Sequence, residues 1–218
     1  MKPMNKSTLL IAASLLPWLA ACNAITPSTP AASVTPATPA TASLAASATP
    51  EAPWVEQARS VSASVPPKLQ AVLKAAIEQS GPVEAIQVCN TAAPQMARAA
   101  SAASGWQIKR VSLGQRNPQA VPDAWERQTL EAFDRRQAAG ADVTKLEHAE
   151  VVVEDGQQVR RYMRALPVQA ACLQCHGTAD KLAPGVAARL SELYPNDRGT
   201  GYLLGQIRGA MTLRQVVQ

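Results

Sequence analysis

Between residues 67 and 79 the apolar side chains fall at Leu69, Val72, Leu73, Ala76 and Ile77, the spacing of a helix with one buried face. Ser80-Gly81-Pro82 ends that run and opens the next, because Gly stops a helix and Pro suits its first turn. From Pro82 on, Ile86, Cys89 and Ala93 share a face, which turns Cys89 inward; Pro94 predicts a kink or restart before Met96, Ala97 and Ala100. Trp106 to Leu113 reads as a strand and Gly114 to Pro122 as a loop. Asp123 and Glu126 are spaced as a capping box, which predicts a helix to about Gln137 carrying Trp125, Leu130 and Phe133. Val151 to Val153 and Val159 to Leu166 flank Glu154-Asp155-Gly156 as a hairpin. Val186, Leu190 and Leu193 mark a short helix, and Ile207, Gly209, Met211 and Leu213 alternate with polar residues as a strand with one buried face. This order predicts an α+β domain: an antiparallel sheet with helices packed on one side.

The chain has 218 residues, and its first quarter does not share this patterning. Lys2 and Lys6 precede an apolar run, Leu9 to Ala21, that is too short to span a bilayer and has the composition of a secretory signal. It ends in Leu19-Ala20-Ala21-Cys22, which resembles a bacterial lipobox; cleavage there leaves Cys22 as a lipidated N-terminus. Residues 24 to 53 are almost all Ala, Pro, Thr and Ser, a composition that cannot bury a core and suits an extended tether. The expected organisation is therefore residues 1–21 as signal, 22–53 as lipidated Cys and tether, and 54–218 as one folded domain. Asn23 after the Cys resembles the sorting preference for the outer membrane, so the expected location is exported and lipid-anchored, facing the periplasm.

A formal charge of +5, without a basic block and with 4% aromatics, lacks the electrostatic footprint and stacking surface of a nucleic-acid binder. The cysteines say more. With Cys22 assigned to lipid, Cys172-Leu-Gln-Cys175-His176 places two thiols and an imidazole in one helical turn. That spacing lets each thiol add to one vinyl group of a haem while His176 reaches the iron. A redox dithiol does not need the trailing His, and a zinc site would have to recruit Cys89 and His148. Cys89 has no cysteine partner; as a free Cys it is either a small buried apolar residue or a second iron ligand, with His148, Met96, Met163 and Met211 as rivals. Arg110, Arg116 and Arg208 are candidates for the haem propionates, since a guanidinium can pair bidentately with a carboxylate.

The stretch from Arg110 to Glu126 with Arg116-Asn117-Pro118 and Trp125-Glu126, the hairpin running into Cys172 to Gly177, and Gly201-Tyr202-Leu-Leu-Gly205-Gln206-Ile-Arg208-Gly209 together resemble the Tll-like c-type haem-binding domain family. The likeness covers nearly all of residues 54 to 218. Gln206 departs from it, standing where an acidic residue is expected. The resemblance implies a PAS-like sheet with the Cys-x-x-Cys-His segment inserted, one covalent haem c, and iron held by His176 and, from an early helix, Cys89. A thiolate ligand favours ferric iron and leaves more readily on reduction, which points to a redox sensor or a sensor of CO or NO that acts through a signalling or redox partner protein. A cytochrome-like electron carrier is the alternative reading. An enzyme is not expected, because a sixth ligand blocks peroxide and no distal acid-base group stands out.

Overall fold

In the computed structural model, which describes residues 51–217, the chain enters directly into a long helix. The signal segment, Cys22 and nearly all of the tether lie outside the described residues. Helix α1 spans Pro53–Gln87 and runs through Pro66 and Pro67 to a kink at Gly81, whose φ of 80° breaks the helical path where Ser80-Gly81-Pro82 predicts a stop. A five-residue π turn, Val88–Ala92, joins it to α2, Ala93–Ser104. The amide of Ala93 reaches back to the Val88 carbonyl, so the helix widens one residue before Pro94, which cannot donate to the ladder.

The packing face of α1 lies N-terminal to the predicted one. Val55, Ala58, Ser62 and Val65 are buried at helical spacing, against Trp106, Tyr162, Met211 and Leu213. The stripe from Leu69 to Ile77 stays half-exposed, with Val72 at 42%. Proline costs a helix a hydrogen bond, so pattern reading starts after Pro66-Pro67 and misses three turns that fold before them.

The other elements are β1 (Gln107–Val111), α3 (Ala124–Ala138), β2 (Glu147–Glu154), β3 (Gln157–Pro167), the short α4 (Leu173–His176), α5 (Val186–Leu193) and β4 (Ile207–Val216). The sheet is antiparallel throughout, in the order β1-β4-β3-β2. The hairpin turns at Asp155 and Gly156, both at positive φ, which matches the right-handed twist of the strands it joins.

The α+β architecture is as expected, but helices cover both faces of the sheet. Residues of one parity, Ile108, Tyr162, Met211 and Leu213, meet α1. Those of the other, Val111, Met163, Ala165 and Ala210, meet Leu130 and Phe133 of α3. The last strand is consequently buried on both sides from Ile207 to Leu213, because it is central, with β1 and β3 as neighbours.

Ile207 and Ala210 both face α3, although a regular strand would send residues three apart to opposite faces. A bulge resolves the mismatch. Leu166 pairs with Gly209 and Pro167 with Ile207, leaving Arg208 as the extra residue. Gly209 permits it: its φ is 148°, and a Cβ there would run into the Val111 carbonyl oxygen and lie 3.1 Å from Ser112 Cβ.

Two polar clamps fix the helices. The predicted capping box is present, Asp123 Oδ1 accepting from Glu126 N at 2.8 Å and Glu126 Oε2 from Asp123 N at 2.9 Å. The Glu126 carboxylate is buried, also accepts from Thr212 Oγ1 at 3.0 Å, and pairs with Lys109 at 3.0 Å and Arg161 at 3.4 Å. On the opposite face Arg59 of α1 grips Glu147 of β2 through Nε and Nη2, and Tyr162 donates to the same carboxylate at 2.6 Å.

Candidate cofactor site

Cys172 closes a 3-10 turn, Ala170–Cys172, and Cys175 and His176 complete the helical turn that follows, so the two thiols and the imidazole occupy consecutive turns of one segment. Its end is pinned by the glycine-rich loop before β4: Gly201 N donates to Gly177 O at 2.8 Å and Tyr202 N to His176 O at 2.9 Å. Cys175 packs beside Ile86 of α1 and Val186 and Leu190 of α5. Cys89, in the π turn that follows Ile86, feels the charges of Cys172, Arg110, Arg116 and Arg208. The three cysteines are free and half-buried.

His176 Nδ1 lies 2.6 Å from the Gly199 carbonyl oxygen. An imidazole that donates from Nδ1 to a carbonyl keeps its lone pair on Nε2, the form that binds a metal. Burial, with Arg208, Arg116 and Arg110 nearby, pushes its pKa well below the ordinary histidine range, so the ring is neutral. Burial likewise pushes up the thiols of Cys89 and Cys175, against the pull of the arginines.

The three arginines expected from the sequence converge here. Arg116, in the loop after β1, is buried; it pairs with Asp197 at 3.0 Å and donates to the carbonyls of Cys175 at 2.6 Å and Gly199 at 3.3 Å. Arg208, swung out by the bulge, is 5% exposed. Its Nη1 donates to Ser112 Oγ at 2.8 Å and Gly114 O at 2.9 Å, its Nε is 3.0 Å from His176 Nδ1, and its guanidinium lies over the Tyr202 ring. Arg110, on β1, has a buried Nε with no hydrogen-bond partner among the described residues. Burial depresses its pKa, and burial together with Arg110 and Arg116 pushes Arg208 down to about 9. Three guanidiniums thus gather where Asp197, paired with Arg116, is the carboxylate at hand, and the site is short of negative charge.

That imbalance is a test of fit. A haem carries two propionates, and its vinyl groups, iron and carboxylates ask for two thiols, neutral axial imidazole and cationic partners respectively. The residues present meet these demands, with Arg110 as the uncommitted cation.

Of the four rivals, Met96 lies on α2 just beyond the π turn of Cys89, and the other three lie elsewhere. Met163 and Met211 are core residues on opposite faces of the sheet. His148 stacks on Trp125 with ring centroids 5.4 Å apart and sits 3.4 Å from Glu150. No group of three or more His, Cys, Asp or Glu is poised to hold a metal ion among the described residues, so the zinc arrangement does not form. A cavity of about 460 Å³ lined by Leu113, Leu130, Asp134, Gln137, Tyr202 and Ile207 takes in no cysteine or histidine. No described helix is long and apolar enough to cross a membrane.

Sequence reasoning missed Ser112, Asp197, Gly199 and Tyr202. Only the glycine-dense run around residues 199 to 205 carried a signal, that of close backbone approach; a Cβ at Gly199 would collide with the Arg208 guanidinium. Gln206 supplies the acceptor expected of an acidic residue, taking a hydrogen bond from Leu203 N at 2.8 Å.

An antiparallel α+β domain with a Cys-x-x-Cys-His turn lodged between its last two strands is thus the class that fold and site define. The model of the Tll0287-like family matches residues 40–215, and the chain belongs to that family. Among solved structures it is similar to the cyanobacterial haem protein Tll0287, at 27% identity and a TM-score of 0.53, over 72% of this chain and 93% of that one. No curated protein matches it.

Proposed function

We propose that this protein is an exported haem protein, lipid-anchored through Cys22, that carries one c-type haem attached through Cys172 and Cys175 and works as a redox or diatomic-gas sensor rather than as an enzyme. The observation that carries the reading is the cluster of Arg110, Arg116 and Arg208 beside the turn that holds two thiols and a neutral imidazole. The family relative of 27% identity is a haem protein, which supports the same choice of cofactor. When bound, haem supplies one-electron chemistry and, in the ferrous state with a free coordination position, affinity for CO and NO.

The chain's own residues have distinct parts in this reading. His176 would offer Nε2 to the iron, with its Nδ1 proton donated to Gly199 O, 2.6 Å away. Cys89 would offer its sulfur as a second ligand to the iron. Arg110 pairs with a propionate, and Arg116 braces the turn by binding the Cys175 carbonyl. Cys89 would be the exchangeable ligand, and because its π turn joins α1 to α2, a change at its sulfur would be felt by both helices. A partner protein reads that change at the membrane surface.

The test is expression with the haem-attachment machinery, followed by covalent-haem staining and by absorption and spin-resonance spectra of both oxidation states. Wild type should stain and give low-spin ferric haem with thiolate character; Cys89→Ser should stain but lose that character. CO should bind only after reduction. A ligand pair kept in both oxidation states would instead make the protein an electron carrier, and absence of stain would overturn the haem reading. Mass spectrometry of the membrane-extracted chain, beside Cys22→Ser, tests the anchor.

A further inference from the structure

We infer that Arg208 is a positioning residue for the axial imidazole, holding a fixed positive charge against it and thereby raising the haem's reduction potential. The inference rests on the haem reading above and gives Arg208 a different task from propionate pairing.

The geometry sets up a competition at one nitrogen. His176 Nδ1 lies 2.6 Å from the Gly199 carbonyl and 3.0 Å from Arg208 Nε. A carbonyl needs a proton on Nδ1, whereas a guanidinium N–H needs a lone pair there. The two partners therefore select opposite tautomers: Gly199 the one that leaves Nε2 free to bind iron, Arg208 the one that does not. Iron ligation selects Gly199. Arg208 then releases the ring nitrogen but not its place, because Nη1 remains bonded to Ser112 Oγ and Gly114 O, and the Tyr202 ring still flanks the guanidinium. None of these hydrogen bonds goes to a carboxylate, so the charge beside the ring is not neutralised by them.

One-electron reduction makes the haem more negative by one unit, and a buried cation beside its ligand favours that state. The bulge gives the device its precision. Arg208 is the extra residue of β4, turned out of the ladder by Gly209 and directed at His176 instead of taking a regular place in the ladder.

The experiment is potentiometric titration of the full haem-loaded protein against mediator dyes, with Arg208→Gln, Arg208→Lys and Arg198→Gln compared. Arg198 is exposed, so its variant removes the same charge far less effectively. Arg208→Gln should shift the one-electron equilibrium toward ferric by about tenfold, which is about 59 mV for a one-electron couple. Arg208→Lys should recover most of that shift and Arg198→Gln should move it by less than about twofold. A haem-loaded Arg208→Gln with the wild-type equilibrium, or an Arg208→Lys that behaves like Gln, overturns the inference while leaving the haem reading intact. Should Arg208→Gln fail to mature, Ser112→Ala frees Arg208 from one anchor without touching His176; it must shift the equilibrium the same way by about twofold or more, and no shift overturns the proposal. Wild-type protein without covalent haem refutes the haem reading itself.

Discussion

Gly209→Ala tests whether the site is built by the bulge in β4. Two costs add. A side chain at φ 148° pays about 1–3 kcal/mol for a backbone conformation that L residues avoid. The new Cβ would also run into the Val111 carbonyl oxygen and come within 3.1 Å of Ser112 Cβ, and relieving such overpacking against backbone costs a further 1–3 kcal/mol or so. A total near 4 kcal/mol should lower the melting temperature by about 8–16 °C in a domain of this size. Gly140→Ala is the control, because Gly140 has a φ of 90° and nothing within 4 Å of its would-be Cβ; it should lose only the conformational share, about 1–2 kcal/mol. Urea titration followed by far-ultraviolet circular dichroism gives both values, provided the slope is unchanged. If Gly209→Ala costs no more than Gly140→Ala, the close approach of β1 does not enforce the bulge, and the placement of Arg208 needs another cause.

Glu126→Ala would leave the buried Thr212 Oγ1 and Asp123 N without their acceptor, while Arg161 keeps Asp123 and Glu154, so a loss of about 2–4 kcal/mol is expected, against about 1 kcal/mol for Glu126→Gln, which keeps neutral acceptors; equal losses in urea titration would contradict this. The hydrogen bond from Arg59, helped by Tyr162 and opposed by burial, holds the Glu147 carboxyl below its ordinary value of 4.5. Its folded pKa is depressed, so the stability it contributes, about 1 kcal/mol, is present above the unfolded pKa and lost as pH falls through the folded one. Melting curves of wild type and Glu147→Gln should therefore converge in acid, and a gap that does not change with pH would refute the linkage. Met163 is fully buried in the α3 core, so Met163→Leu should cost less than about 1.5 kcal/mol and leave the ferric spectrum of haem-loaded protein unaltered; a changed spectrum would make it a ligand after all.

The sequence was legible where one local rule decided the outcome. Asp123 and Glu126 announced the α3 cap, Glu154-Asp155-Gly156 the hairpin, and Cys172 to His176 the thiol and imidazole turn. It was illegible where distant segments decide. The alternation of Ile207, Gly209, Met211 and Leu213 reads as a single face, yet Ile207 faces α3 while Met211 and Leu213 face α1, because the bulge that changes the phase depends on pairing with Leu166 and Pro167. Covering helices on both faces escaped notice for a related reason, since a central strand shows no polar side until its neighbours are known. Asp197 lies in a turn without periodicity, and its pairing with Arg116 spans 81 residues. The π turn at Cys89 left a trace in Pro94, although the pattern could announce only a break and not a widening.

The strand that completes the sheet is also the last of the four in chain order. β1 and β3 touch only through β4, and Arg110 and Arg116 come from the β1 side of that gap while Cys172 to His176 hang from the β3 side. The β2-β3 hairpin closes over a two-residue turn, whereas joining β1 to β4 closes a loop of roughly 100 residues, the slower and entropically dearer step. A chain in which β4 has not yet paired would therefore leave the turn of Cys172 to His176 without the docked loop that pins its end through Gly201 and Tyr202. If haem is attached through Cys172 and Cys175 as proposed, the order in which the strands pair, as much as the finished geometry, would decide which chains mature.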